Sequence, residues 1–464
     1  MNENKTNLVY GVKDMPKPFG KVLVFAFQQV LAILAATIAV PTIVENGMSQ
    51  SAALFGAGAG TLVYLLFTKF KSPVFLGSSF AFIGSMLAAF GGAASVSVGY
   101  LGLIIGAALA GLVYVIIALV VKFVGVEWIN KIMPASVIGP TVAVIGLSLS
   151  GNAIGDVLKG SIYDATNHVY IMNTTGLISL FCGLVTLFTV IICSVYGKKM
   201  MKMIPFIIGI AAGYVVATIF TVIGIVAEIP ELLIINFGLF QNMQWIPNFA
   251  FIEAFKGFAD VTAFGEYFLT ILVAYVPVAF VVFAEHLADH KNISSIIGSD
   301  LTKDPGLHRT LLGDGVGSIA GAFFGGCPNT TYGESVGCVA ISRNASVVTI
   351  LTAAVVCLVA SFIAPFTTLL ATIPSCVMGG VCVSLYGFIA VSGLKMIQKV
   401  DLGENRNLFT VSVILIAGVG GMALSFGSVK ITAVACALIL GIVANLVTAR
   451  AAKKEEVEAT EENN

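Results

Sequence analysis

The sequence predicts an all-α polytopic membrane protein, and three observations support this fold class. Of the 464 residues, 58% are hydrophobic and only 10% are charged, whereas soluble proteins carry about 25% charged residues. Apolar segments recur from Val22 to Val447 with short polar breaks, and about 20 apolar residues cross the hydrocarbon core as a helix. Short motifs of the first half also return in the second half. We therefore expect lipid to cover most of the surface.

Fourteen apolar segments are predicted as transmembrane spans. The third and tenth are the least helical, because they contain or border the runs Gly77-Ser78-Ser79-Phe80 and Pro328-Asn329-Thr330-Thr331-Tyr332-Gly333. The segment 227–265 is predicted as an outer loop with interfacial helices. The predicted spans are 22–45, 52–69, 74–90, 98–121, 133–153, 170–196, 204–226, 266–288, 309–326, 330–342, 345–364, 370–394, 407–426 and 429–449.

The basic residues test this number of spans. With the N-terminal arm, 1–21, in the cytoplasm, only Lys159, Lys256 and Lys430 of the 24 Lys and Arg residues fall outside the inner loops and tails. The positive-inside rule therefore supports an even number of spans with both termini cytoplasmic. The acidic, polar tail, 450–464, is predicted to be disordered. The formal net charge is zero, which gives no indication of a nucleic-acid partner.

An internal repeat is visible at three places, in the same order in both halves. The matching pairs are Gly56-x-Gly58-x-Gly60-Thr61 with Gly313-x-Gly315-x-Gly317-Ser318, Ser78-Ser79-Phe80-Ala81 with Thr330-Thr331-Tyr332-Gly333, and Pro134-Ala135-Ser136-Val137-Ile138-Gly139 with Pro374-Ser375-Cys376-Val377-Met378-Gly379. Two halves of seven spans are expected, and an odd number makes them inverted in the membrane, as in secondary transporters. Chance similarity between Gly-rich segments is the alternative for any single match.

Three acidic residues lie within or beside apolar segments. Glu285 follows the apolar run 268–284, Asp289 lies one helical turn further on the same face, and Glu334 follows Gly333. A charge at the bilayer centre costs about 2.5–3.5 kcal/mol, so such residues face protein or a cavity. Since burial disfavours the charged form, Glu285 and Glu334 are candidates for substrate contact and proton coupling, and Asp289 for proton coupling. A structural hydrogen bond between helices is the alternative for each.

The interrupted segments offer complementary groups. A broken helix leaves backbone N–H and C=O groups free, which is tolerated in a membrane only where they line a cavity. A planar ligand with N–H donors and carbonyl acceptors would match that lining, since carboxylates accept from N–H groups and amides beside Phe80 and Gly333 donate to carbonyls. Phe80 and Tyr332 also offer ring faces. For Asp314, inside the Gly-rich ninth span, functional and structural roles remain equally open.

Metal binding and catalysis find little support in the sequence. His286 and His290 are four residues apart beside Glu285, but the metalloprotease order His-Glu-x-x-His is absent. We interpret both as membrane-face or loop histidines, and the eight cysteines as small buried hydrophobes. No metal and no cofactor other than a coupling proton is expected. Without a nucleophile–base pair, an enzyme is not expected.

Taken together, these motifs resemble the nucleobase–ascorbate transporter family, in its bacterial uracil permease branch. The resemblance covers nearly all of the chain between the tails. The sequence departs from the family pattern at three positions. Asp289 stands where the familiar uracil permease has His and where purine transporters often carry Asp. Gln29 stands where a Gln-His pair is common, and Ser335 replaces Asn. The motifs that carry the resemblance are Cys327-Pro-Asn-Thr-Thr-Tyr-Gly-Glu334, Ala284-Glu285-His286, Asp304-Pro-Gly-Leu-His-Arg309, Phe27-Gln28-Gln29 and Gly77-Ser-Ser-Phe-Ala-Phe82.

The resemblance implies fourteen spans in two inverted repeats, with short antiparallel strands in spans three and ten. It implies a core domain (22–124 and 266–364) that holds the substrate and a gate domain (131–226 and 370–449) that supports its movement, with homodimers formed through the gate domain. The implied activity is proton-coupled uracil import across the bacterial inner membrane. The implied substrate-binding residues are Glu285, Glu334, Phe80, Gly333, Tyr332, Tyr386 and Ala36.

Two other transport functions remain open. A purine-base symporter for xanthine or urate is the alternative within the family, although the Thr-Thr-Tyr-Gly-Glu run and the Gly-Leu-His-Arg loop favour uracil. An anion transporter of the same architecture would be favoured by a cationic residue in the substrate site, but the motif positions are acidic.

Overall fold

A computed structural model describes residues 8–125, 127–198, 200–260, 264–426 and 429–462 of the chain. The molecule is mostly helical, as the composition predicts, with a few strands of three residues each. The first half contains helices α1 (Phe19–Val44), α2 (Gln50–Phe67), α3 (Ile83–Gly91), α4 (Val96–Val124), α5 (Glu127–Ile132), α6 (Ala135–Ser148), α7 (Ser150–Val157), α8 (Thr174–Tyr196), α9 (Met200–Met203) and α10 (Pro205–Ala227), and strands β1 (Leu76–Ser78), β2 (Ile162–Asp164) and β3 (Val169–Ile171).

The second half continues with a short amphipathic helix and then with helices of 8 to 34 residues. Two 3₁₀ turns, Pro230–Leu232 and Phe237–Asn242, precede it in the predicted outer loop. The elements are helices α11 (Ala250–Gly257), α12 (Phe264–Ile297), α13 (Leu307–Gly325), α14 (Gly333–Ser342), α15 (Val347–Ala360), α16 (Ala364–Ala371), α17 (Ser375–Ile397), α18 (Asn405–Val419) and α19 (Ala433–Glu462), and strands β4 (Asn329–Thr331), β5 (Leu424–Phe426) and β6 (Val429–Ile431).

Many of these helices can span a bilayer. Within the described residues, eight helical segments are long and apolar enough: α1, α2, α4, α6 together with α7, α8, α10, α12 and α17. The pair α15 and α16, bent by 85° at a short break, is a ninth candidate. The chain is therefore a multi-pass membrane protein.

Strands β1 and β4 form a buried antiparallel pair at the centre of the fold. Leu76 faces Thr331 and Ser78 faces Asn329 in the register, so the sheet joins two distant parts of the chain. Non-helical backbone in a membrane must find partners within the protein. The Leu76 N–H donates to the Thr61 hydroxyl at 2.9 Å, and the Phe75 N–H donates to the Ser335 hydroxyl at 3.0 Å. These contacts satisfy the backbone that enters the sheet.

Glycines bring α2 and α13 into close contact beside this sheet. A Cβ atom on Gly56 would lie 2.6 Å from the Gly321 carbonyl oxygen, and one on Gly317 would lie 2.8 Å from the Gly60 carbonyl oxygen. Both distances are shorter than real Cβ contacts allow. Small residues at such positions let membrane helices approach and gain van der Waals contact. The Asn329 side chain also donates to the Gly56 carbonyl at 2.9 Å, which ties β4 to α2.

The ends of several predicted spans differ from the structure. The sequence predicts helices over 407–426 and 429–449, but α18 ends at Val419 and strands β5 and β6 form a hairpin before α19 begins. Gly421 explains the stop, because it adopts φ +69° after the helix, a conformation that glycine allows at helix ends.

Two further segments also differ from the sequence-based expectation. The start of the predicted span 170–196 belongs to the hairpin of β2 and β3, whose turn is held by Asp164 accepting from the Thr166 N–H at 2.9 Å. The tail predicted to be disordered is helical to Glu462, in keeping with the strong helix propensity of its Ala, Lys and Glu residues.

We expect Gly56→Ala to destabilise the protein, because the new methyl group would overlap the α13 backbone; overpacking of this kind costs about 1–3 kcal/mol. Gly91→Ala is the matched control, since nothing lies within 4 Å of the position that a Cβ atom would take there and Ala favours a helix over Gly by about 0.5–1 kcal/mol. The unfolding temperature of both purified variants in detergent should separate them. Equal unfolding temperatures would contradict close packing of α2 and α13.

Candidate functional site

Two short helices begin at opposite ends of the central sheet. β1 leads through the 3₁₀ turn Phe80–Phe82 into α3, and β4 leads through Tyr332 into α14. Since the strands are antiparallel, their carboxyl ends point in opposite directions, and so the two helices start about one strand length apart. With about 3.3 Å per strand residue, three residues separate the two starting points by roughly 10 Å. The residues that precede α3 and those that precede α14 therefore lie at opposite ends of the sheet.

A cavity of about 440 Å³ lies at the start of α14. Its volume is within the range of about 300–1,000 Å³ typical of small-molecule sites. Glu285 and Asp289 of α12 and Gly333 and Glu334 of α14 line it together. Four residues that the sequence singled out are thus brought to one place from two separate helices.

The carboxyl groups of this cavity differ in how they are held. The Thr331 hydroxyl donates to Asp289 Oδ2 at 2.8 Å, so β4 fixes the orientation of this carboxyl group. Asp289 is only 8% exposed, whereas Glu285 and Glu334 are partly exposed. Among the described residues, neither glutamate takes part in an ion pair. Their carboxyl groups therefore line the cavity without a paired cation.

Backbone groups at the start of α14 add donors to the site. The first turn of any helix has N–H groups without intrahelical acceptors, and it carries a partial positive charge. Gly333 begins α14 and is exposed, so a ligand can approach its backbone closely. Carboxyl acceptors and backbone donors at one cavity suit a small planar molecule that carries both N–H and C=O groups.

Several polar residues of the cavity were not found from the sequence. Lys202, Asn292, Ser194 and Ser392 also line it. Asn292 is seven residues after Glu285 on α12 and could have been found by its spacing, because positions i, i+4 and i+7 share a helix face. Lys202 lies in the short helix α9, which the sequence treats only as part of a basic inner loop. The site therefore includes one cationic side chain beside its acidic ones.

The remaining predicted site residues lie elsewhere. Tyr332 is buried, and its hydroxyl donates to the Ser78 carbonyl at 2.7 Å. Ala36 is buried within α1. The rings of Phe80 and Tyr386 contact each other edge to face with centroids 5.6 Å apart. None of these four residues is among those that line the cavity of Glu285.

The interpretation of His286 and His290 as membrane-face or loop residues is wrong. Both side chains are completely buried, because α12 continues to Ile297 and turns these residues toward α2 and α13. The His290 Nε2 atom lies 2.7 Å from the Tyr64 hydroxyl. The two imidazole rings stack with centroids 3.9 Å apart. They are structural polar contacts between helices.

Asp314 is the partner of His286 in this network. Its Oδ2 atom lies 2.8 Å from His286 Nδ1, and His286 Nε2 lies 3.0 Å from the Thr310 hydroxyl. Both ring nitrogens are thus hydrogen-bonded, and the pair connects α12 to α13. Because His286 follows Glu285, this contact also fixes how α12 presents Glu285 to the cavity. Among the described residues, no group of three or more potential ligands is placed to hold a metal ion.

Comparisons with known proteins agree on a family and a fold. A profile described as "Permease family" matches residues 20–426. The chain is 39% identical to the uracil permease of Bacillus subtilis (strain 168) over the full length of both chains. It is 38% identical to the uracil permease of Bacillus caldolyticus, over 95% of this chain and 94% of that protein.

Among solved structures, the transmembrane domain of the cyanobacterial bicarbonate transporter BicA superposes with a TM-score of 0.63. The superposition covers 94% of this chain and 99% of that domain, at 17% sequence identity. At this identity the comparison shows a shared fold and nothing further.

We expect His286→Ala to destabilise the protein strongly, because it leaves Asp314 buried without its partner. Leaving a buried hydrogen-bonding group without its partner costs about 1–3 kcal/mol, and more if the group is charged. Lys71→Ala is the control, since the Lys71–Asp304 pair is largely exposed and such pairs contribute about 0–1 kcal/mol. The unfolding temperature in detergent measures both, and a small effect of His286→Ala would show that the buried pair does not hold α12 against α13.

Proposed function

Because the chain belongs to the nucleobase–ascorbate transporter family, we propose that it imports uracil across the bacterial cytoplasmic membrane together with protons. The observation that carries this proposal is the cavity in which Glu285, Asp289 and Glu334 surround the start of α14. The full-length similarity to uracil permeases supports uracil as the substrate.

Uracil matches the groups of this cavity. Its ring N–H groups would donate to the carboxyl oxygens of Glu285 and Glu334, and its carbonyl oxygens would accept from the backbone at Gly333. The partial positive charge at the start of α14 favours a carbonyl oxygen at that position. In this proposal Tyr332, Tyr386, Ala36 and the backbone of Phe80 complete the site when the transporter closes around its substrate.

The three acids around one cavity support the proposed proton coupling. Mutual repulsion and burial both favour a bound proton on at least one carboxyl group of such a cluster. Asp289 is one helical turn from Glu285 on the same helix and is held by Thr331. One of the three acids would take up a proton before uracil binds. The proton and uracil would then both be released on the cytoplasmic side of the membrane. No cofactor beyond this proton is part of the proposal.

The proposed architecture has fourteen spans in two inverted repeats, with both termini in the cytoplasm. Matching motifs of the two halves contact each other: β1 pairs with β4, and the glycines of α2 pack against those of α13. Helices α2, α4, α12, α13 and α15 pack on one another, as do α6, α8, α17, α18 and α19. We assign the first group to the core domain and the second to the gate domain, through which two copies would associate.

Anion transport is the second candidate function. Lys202 lines the cavity, and the superposed solved structure is a bicarbonate transporter. However, the carboxyl groups of Glu285, Asp289 and Glu334 outnumber this single ammonium group. An anion binds best where the surrounding groups create a positive electrostatic potential. We therefore favour a neutral ligand.

Uptake of labelled uracil into proteoliposomes tests the function. We expect uptake to depend on an inward proton gradient and to be blocked by unlabelled uracil, with xanthine and bicarbonate as weak competitors. Stronger competition by xanthine would indicate a purine symporter, and bicarbonate uptake would indicate the anion function. Absence of uracil uptake under any gradient contradicts the proposal.

Glu285→Gln and Glu334→Gln should each lower uracil uptake by at least about 30-fold, because removing a charged hydrogen-bonding partner costs about 2–5 kcal/mol. Both variants should still insert into the membrane, since the amide keeps the shape of the side chain. Glu404→Gln is the control, because Glu404 is exposed in a loop and does not line the cavity. The measurement is uptake per amount of membrane-inserted protein, and normal uptake by both site variants would remove these residues from the site.

A further inference from the structure

A second cavity, of about 260 Å³, lies at the other end of the central sheet. It is bounded by Phe80 and Gly84 from the segment that follows β1, by Ser148 and Asn152 from the end of α6 and from α7, and by Thr432 before α19. We call it the outer cavity. Its volume is just below the lower limit of about 300 Å³ for drug-sized ligands, so it suits a molecule of one ring.

The two cavities lie toward opposite sides of the membrane. Helix α6 reaches both cavities. Val142 lines the first cavity, and Ser148, at the C-terminal end of the helix, lines the outer cavity. α17 contributes Phe388 and Met396, in its C-terminal half, to the first cavity. After Met396, α17 ends at a loop rich in Lys and Arg. The C-terminal end of α6 and the start of α19 lie at the opposite side of the bundle from this loop. By the positive-inside rule, the outer cavity is therefore on the extracellular side.

The Phe80 ring of the outer cavity contacts the Tyr386 ring of α17. Phe80 lines the outer cavity, and Tyr386 precedes Phe388 of the first cavity by two residues on α17. The two rings are in edge-to-face contact, with centroids 5.6 Å apart. Phe80 comes from the core group of helices and Tyr386 from the gate group, so movement of the two groups would open or close this contact.

Polar groups of the outer cavity form a donor and acceptor set. The Ser148 hydroxyl donates to the Ile145 carbonyl at 2.9 Å, which leaves its oxygen lone pairs to accept. The Thr432 oxygen accepts from the Ala435 N–H at 3.3 Å, so its proton remains available to donate. The Asn152 amide supplies both a donor and an acceptor, and the Phe80 ring provides an apolar face. A flat, uncharged ring with N–H and C=O groups fits this set.

We propose that the outer cavity is a second binding site for a nucleobase, occupied before the ligand passes Phe80 and Tyr386 into the first cavity. The inference rests on the proposed function for the chemical class of the ligand. Its own basis is the set of Phe80, Ser148, Asn152 and Thr432 around a cavity that is separate from Glu285 and Glu334. Asn152 is the main determinant, because its amide offers two donors as well as an acceptor.

Protection from thiol labelling tests this site. Asn152→Cys places a thiol in the outer cavity, and the native cysteines, all eight of them buried, leave a low background. In right-side-out vesicles, uracil at ten times its dissociation constant should slow labelling by a membrane-impermeant maleimide about tenfold, by simple mass action. Gly151→Cys is the matched control, because nothing lies near its side-chain position and it does not line the cavity.

The same labelling in a background of Glu334→Gln separates the two cavities. Protection that persists when the first cavity no longer binds uracil supports a separate outer site. Protection that disappears in this background means that uracil acts only from the first cavity, and it overturns the proposal. Absence of protection in every variant overturns it as well, whether or not the wild-type protein transports uracil. Protection without any uracil uptake keeps the outer site and removes the proposed function instead.

A kinetic measurement gives a second, independent test. Asn152→Ala should raise the KM for uracil uptake from the outside about 2–10-fold, the effect of losing one hydrogen bond of about 0.5–1.5 kcal/mol, while equilibrium binding to the Glu285 cavity in detergent stays unchanged. Gly84→Leu should also raise the KM by filling the cavity, and Gly91→Leu on the same helix should not, because Gly91 has open space around it. Equal KM values for Asn152→Ala and wild type would overturn the role of Asn152.

Discussion

The hydrogen bonding of a short stretch of non-helical backbone is the constraint on which the rest of this structure depends. In a bilayer, every backbone N–H and C=O group that leaves a helix must find a partner within the protein. β1 and β4 satisfy each other, and Thr61 and Ser335 satisfy the residues that lead into β1. Ser335 also accepts from the Gln29 amide, so α1, β1 and α14 meet at one hydroxyl. The strands are stable only because helices on all sides supply such groups.

This sheet determines where polar chemistry can be placed. Two helices start from its opposite ends, and each start carries free N–H groups that a continuous helix would not offer. Gly77 has no side chain, which leaves room for the Tyr332 ring against β1, and the Tyr332 hydroxyl then bonds to Ser78. The Tyr332 side chain therefore covers one face of the sheet. The two cavities lie at the two ends of the sheet.

The sequence predicts the parts of the site that follow from the cost of polarity in a membrane. Glu285, Asp289 and Glu334 were found because each is an acid in or beside an apolar run, and the strands were indicated by runs unlike a helix. Lys202 could not be found in this way, since a lysine in a basic loop costs nothing. The burial of His286 and His290 depends on how far α12 continues and on its packing against α13, which local sequence does not encode. The hairpin of β5 and β6 was hidden by its apolar residues, which also suit a helix.

The sheet at the centre of the fold has a consequence for how the protein is made. Ser78 and Tyr332 are 254 positions apart in the chain, so β1 leaves the ribosome long before β4 exists. Contacts of such high sequence separation form late, and until then the β1 backbone lacks partners that the lipid cannot supply. We therefore expect β1 to remain beside the insertion machinery or in a hydrated environment until the second half of the chain arrives. The two halves are coupled during biogenesis as well as in the finished transporter.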